Sequence, residues 1–284
     1  MIGIHGIAKQ QLGRHQLRQL WRPALADGLE RAVGHPVGLP PLDIAFYGDV
    51  FLPSPTAGTK AGTDADEVLL DDLTDDELAD LTAAVPEAVS DQELAAAEAE
   101  TSKGYTRVPL PLQAAMRALD RRFGPAAGVL YLGELRQVRR YLCSAEVKST
   151  VDARVAAAIG ADCRILVAHS LGSVVALEYL RQHPEHHVDL LLTMGSPLGL
   201  RMVCTRLPDP AFGTAPGGPG NVGTWVNLRD PRDPVACAGD LSRWWPVVRP
   251  APVDNQGDAH AADRYLSKKE AGQAALAAAP WLAS

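Results

Sequence analysis

Short apolar runs alternate with stretches of helical spacing along this chain, and that alternation sets the elements it predicts. Ile2-Gly3-Ile4-His5 reads as a strand. From Gln11 to Val33 the apolar residues Leu12, Leu17, Leu20, Trp21, Leu25 and Leu29 keep helical spacing, closed by Gly34 and Pro36. Leu42 to Tyr47 reads as a second strand, so the chain opens strand-helix-strand, as in a parallel sheet with a crossover helix. Helices are predicted over 110–123, where Leu112, Ala115, Met116 and Leu119 form the stripe, and over 144–159. Between them, residues 129–142 carry Leu130, Leu132, Leu135, Val138 and Leu142, with Arg136, Arg139 and Arg140 expected on a solvated face. Lys148 and Arg154 are likewise expected to face solvent. Further strands are predicted at 165–168, 188–194 and 224–228, and a last helix over about 268–278. The Pro/Gly-rich stretch 201–220 and the segment from Trp244 to Val253 read as loops.

Residues 52–103 break the rhythm. Their first part is rich in Pro, Gly, Thr and Ser; the rest is acidic, with leucines at 69, 70, 73, 78 and 81 and a helix-like run over 93–100. Two readings stand open: a solvated insertion, or a lid over a site at the C-terminal edge of the sheet.

Bulk properties narrow the classes. The 284 residues suffice for one large α/β domain spanning 1–284, and 46% hydrophobic residues can fill its core. A net charge of −7, no basic block and only 5% aromatics argue against nucleic acid as the main partner. The four cysteines show no Cys-x-x-Cys spacing, and no His-Glu-x-x-His string occurs, so neither a metal nor another cofactor is expected. No signal-like N-terminus and no apolar run near 18 residues is seen. A cytoplasmic protein without stable membrane insertion is therefore the expectation; the oligomeric state is left open.

The chemistry concentrates in Cys163–Leu180. The apolar run Ile165–Ala168 is interrupted by His169-Ser170-Leu171-Gly172, after which Val174, Leu177 and Leu180 take helical spacing. A strand turning sharply into a helix around a serine, with small residues at Ala168 and Gly172, is the pattern of a nucleophile elbow. Asp233 and His260 follow later segment ends, completing the order Ser, Asp, His. In such a set the imidazole takes the serine proton and the carboxylate orients the imidazole. Asp230 is the alternative acid, three residues earlier in the Asp-Pro-rich loop.

These residues resemble the α/β-hydrolase superfamily, and within it the lipase- and esterase-like serine hydrolases. His5-Gly6-Ile7 resembles the His-Gly turn whose backbone serves the oxyanion hole. Gly195-Ser196-Pro197-Leu198-Gly199 resembles a loop of lipase-like members, among them inositol-deacylase-like proteins, and Asn227–Val235 resembles their acid loop. The resemblance covers the chain except about 52–103 and 205–221. It implies a mostly parallel central sheet with helices on both faces, a short N-terminal region and a cap-like insertion. It further implies an oxyanion hole from the N–H groups of Ile7 and Leu171, and a pocket near His5, Gly6, His169, Leu198 and Trp244. The substrate expected is a small-molecule or lipid ester, or a thioester. Acyl transfer, amide cleavage and a non-catalytic binding or regulatory role of the same fold stay open.

Overall fold

The computed structural model describes residues 1–6, 12–52, 73–99 and 108–283. Among the described residues six strands form one sheet: β1 (Ile2–Ile4), β2 (Asp43–Ala45), β3 (Ile165–His169), β4 (Val188–Met194), β5 (Val222–Arg229) and β6 (Val248–Pro252). Their order is β2-β1-β3-β4-β5-β6, and every neighbouring pair is parallel. The architecture is mixed α/β, with helices on both faces of a parallel sheet.

Alternation along the strands divides the core in two. Ile165, Val167, Leu190 and Leu192 point to one face, where α1 (Arg14–Val33) and α10 (Lys269–Ala278) pack. Leu166, Ala168 and Leu191 point to the other, which is covered by α6 (Ala145–Ala158) and α7 (Leu171–Gln182), with α5 (Ala127–Cys143) packed on those helices and α4 (Leu110–Phe123) on α5. The helix α1 stops where Gly34 takes the left-handed conformation, φ 82°, and returns its N–H to Glu30 O. On the same face, α1 and α10 cross so closely that a Cβ on Gly272 would stand 2.1 Å from Gly28 O.

The described part of the acidic segment is two capped helices, α2 (Asp75–Ala88) and α3 (Asp91–Glu98). Thr74 with Glu77, and Ser90 with Glu93, form reciprocal capping boxes. Leu81, Ala84, Val85 and Ala88 are buried, and the Tyr131 hydroxyl donates to Ala84 O at 2.9 Å. This pair is therefore packed into the core rather than solvated. The expectations for residues 53–72 and 100–107 lie outside the described residues.

Three sequence expectations are corrected here. Arg136 pairs with Glu77 at 3.4 Å and Arg139 with Asp80 at 2.5 Å, so these arginines clamp α2 to α5 instead of facing solvent. Lys148 is drawn in by Asp152 and Glu178, each at 2.9 Å, whereas Arg154 does face solvent, paired there with Asp49. The segment 201–220 opens with a short helix, α8 (Arg201–Arg206), and the stretch read as loop before Val253 contains β6. Pro250 and Pro252 disguised β6, since proline is tolerated in strands chiefly at a sheet edge. The five-residue α9 (Ala262–Leu266) was also not foreseen.

Candidate functional site

Ser170 sits between β3 and α7 with φ 53° and ψ −126°. A side chain there costs about 1–3 kcal/mol of backbone strain, which the surroundings must hold in place. Ser170 N donates to Met194 O at 3.0 Å, tying the turn to the end of β4. Ser173 Oγ lies 2.6 Å from both Ser170 O and Ser196 Oγ, joining the first turn of α7 to the loop after β4. Close approach is built in: a Cβ on Gly172 would meet Ile4 O at 2.1 Å, and one on Gly6 would meet Ser170 Cβ at 2.6 Å. Leu171, the first residue of α7, is fully buried. Ile7 lies outside the described residues.

The loop after β5 presents Asp233, which is fully buried. Its Oδ1 accepts from Val235 N at 2.9 Å, and its Oδ2 accepts the Tyr265 hydroxyl at 2.8 Å. His260 Nδ1 lies 2.9 and 2.8 Å from the two carboxylate oxygens. Gly195 has φ 53°, a left-handed conformation that glycine accepts freely, and a Cβ there would stand 2.7 Å from Asp233 Oδ2. The His260 backbone is anchored as well, since its carbonyl lies 2.7 Å from His169 Nε2.

Asp230 has a different task. Its Oδ1 accepts from Arg232 N at 2.8 Å and its Oδ2 from Asn255 N at 2.5 Å. It joins the β5 loop to the segment after β6, while Asp233 alone of the two meets His260. Hydrogen bonds from the Arg232 and Asn255 backbones and the Arg232 guanidinium outweigh burial and hold the Asp230 carboxyl below its ordinary value.

The residue that sequence reasoning missed is Glu134, on α5 and 1% exposed. Ser170 Oγ donates to Glu134 Oε2 at 2.5 Å. His260 Nε2 makes no hydrogen bond and faces Glu134 Oε1 at 3.5 Å. Burial would lower the His260 pKa, but the carboxylates of Asp233 and Glu134 prevail and raise it to about 10. The imidazole is thus an imidazolium at neutral pH in this arrangement. One signal was available: Glu134 falls on the apolar stripe of Tyr131, Val138 and Tyr141, three residues after the first and four before the second.

The expected pocket residues are dispersed in role. His5 stacks on Tyr47, with ring centroids 4.2 Å apart, and its Nε2 accepts from Tyr47 N at 3.2 Å. Leu198 is fully buried in the turn after β4. Trp244 is 44% exposed, whereas its neighbour Trp245 is the one packed inside, against Trp225. Among the described residues no group of three or more His, Cys, Asp or Glu could hold a metal ion, and no helix is long and apolar enough to cross a membrane. No family model, curated protein or solved structure matches the chain.

Proposed function

We propose that this protein is a serine hydrolase of the α/β-hydrolase type, cleaving a carboxylic ester or thioester through an acyl-enzyme on Ser170. The observation that carries this reading is a buried Asp233–His260 pair at 2.8 Å beside a serine held at positive φ between a strand and a helix. A histidine oriented by a buried carboxylate through Nδ1 leaves Nε2 for proton transfer. The parallel order β2-β1-β3-β4-β5-β6 also supports it, because Ser170, Asp233 and His260 follow β3, β5 and β6 at the same sheet edge.

In the reaction, Ser170 Oγ attacks the acyl carbon while its proton passes to neutral His260 Nε2. The imidazolium then returns that proton to the leaving alcohol or thiol as the carbon–oxygen or carbon–sulfur bond breaks. Water, deprotonated by His260, attacks the acyl-enzyme; the acid is released and Ser170 regains its proton. Negative charge on the carbonyl oxygen would be met by the Leu171 N–H at the start of α7, where the helix dipole also favours it. The buried Leu171 and Leu198 side chains favour an apolar acyl part.

A fluorophosphonate probe tests this reading. Ser170 should be labelled in the intact protein and Ser170→Ala should not. A chain-length series of acyl esters and thioesters would then identify the preferred acyl group. Labelling absent across the pH range, in the folded protein and in folded Glu134→Ala alike, would overturn the proposal.

A further inference from the structure

In the proposed reaction Ser170 Oγ and His260 Nε2 must exchange a proton, yet in this structure both atoms face a third group. The Glu134 carboxylate receives the Ser170 hydroxyl through Oε2 at 2.5 Å and turns Oε1 to His260 Nε2 at 3.5 Å. Among the described residues its sole ion-pair partner is His260; no lysine or arginine neutralises it. A serine hydroxyl, an imidazolium and a carboxylate in that arrangement have the composition of a hydrolase holding its carboxylic acid product. The acid has given its proton to histidine and keeps one oxygen on the serine.

We propose that Glu134 is a built-in occupant of the acyl position, a product mimic supplied by α5 that must withdraw before an ester can reach Ser170. This rests on the hydrolase reading above. Three further observations agree with it. Around Glu134 the residues Ser170, Leu171 and Asp233 are each at 0% exposure. Gln137, one turn beyond Glu134 on α5, is buried with neither amide atom hydrogen-bonded. This packing of α5 thus leaves a polar group unsatisfied that a shifted helix could pair. The charges around the imidazole also favour rest over reaction. Asp233 faces it from the β5 loop and Glu134 from α5, and the other titratable groups nearby are His169 at the end of β3, Tyr265 on α9, and Tyr47, which feels the Glu134 charge. With a pKa of about 10, His260 accepts no proton at pH 7 while Glu134 remains in place.

The test is the rate of fluorophosphonate labelling of the full chain, measured against pH for wild type, Glu134→Ala and Glu134→Gln. Glutamine keeps the shape of the side chain and guards against failure of the alanine variant to fold. Wild type should react slowly at neutral pH and faster as pH rises. Both variants should react about tenfold or more faster at pH 7, with profiles displaced to lower pH, since each loses one of two anions raising the histidine pKa. Acetate should slow Glu134→Ala by filling the vacated position and leave wild type unaffected. Folded variants that label no faster than wild type would overturn the proposal while leaving the hydrolase reading intact. Folded variants that lose labelling would overturn it too, making Glu134 the acceptor of the Ser170 proton. Failure of wild type and both variants to label at any pH would remove the hydrolase reading, and this inference with it.

Discussion

Two aspartates three residues apart in one loop carry different duties, and substitution separates them. Asp233→Asn leaves an amide beside His260 Nδ1, so neither the tautomer nor the charge of the imidazole is held. On the proposed reaction, loss of kcat by roughly 10³- to 10⁴-fold is expected, with little change in KM. Asp230→Asn removes the charge that gathers Arg232 and Asn255 N. That change should appear in a denaturation curve, as a loss of about 1–3 kcal/mol, with activity per folded molecule within tenfold of wild type. A variant pair behaving the other way round would exchange the two roles. At this scale the sequence left the acid open between them, because Asp-Pro turns serve both purposes. It overlooked Glu134 for a different reason: a lone acid on an amphipathic helix is usually at the surface, and only the fold brings α5 against Ser170.

Among the elements, α1 and α10 pack in close contact. Gly28 and Gly272 face each other there, and a Cβ at either meets backbone rather than a yielding side chain, Leu266 O at 2.3 Å or Gly28 O at 2.1 Å. Gly272→Ala should force the helices apart and cost about 1–3 kcal/mol, read from urea unfolding. Labelling of Ser170 should persist in the folded fraction, since these helices cover the face opposite α5. The strands β3 and β4 and the helix α4 were legible because apolar period and flanking breakers agreed along their whole length. β6 and α9 were not: one carries two prolines and the other is a single turn and a half, so local pattern is weak and pairing with β5 or packing on α1 decides. The arginines of α5 were misplaced because their partners, Glu77 and Asp80, come from a segment some sixty residues earlier, a separation that periodicity does not see.

The whole molecule should register the His260 charge in its stability. The folded pKa is about 10 against an ordinary 6.5, so the folded state holds the proton more tightly than the unfolded chain. This contribution is complete below pH 6.5 and is lost as pH climbs toward 10. The buried thiols Cys204 and Cys237, raised from 9.0 to about 12, and the buried tyrosines, raised from 10.0, act at and above the upper end of that window. Melting temperature should therefore decline between pH 6.5 and 9, and His260→Ala should flatten the decline there while leaving the alkaline limb. An unchanged slope in His260→Ala would mean that the imidazole is neutral when folded.

The edge strand β6 has a consequence beyond the site. Its odd-numbered positions turn inward, as Val253 N shows by reaching Arg229 O at 2.9 Å, so the N–H positions of 248, 250 and 252 face away from β5. Val248 N is taken by Trp245 O, and the other two residues are prolines with no N–H to offer. A foreign strand approaching from that side finds carbonyl acceptors but no donor, and cannot complete a ladder. The sheet thus ends at β6 by its chemistry, which keeps concentrated protein from adding copy to copy along that border into fibrils.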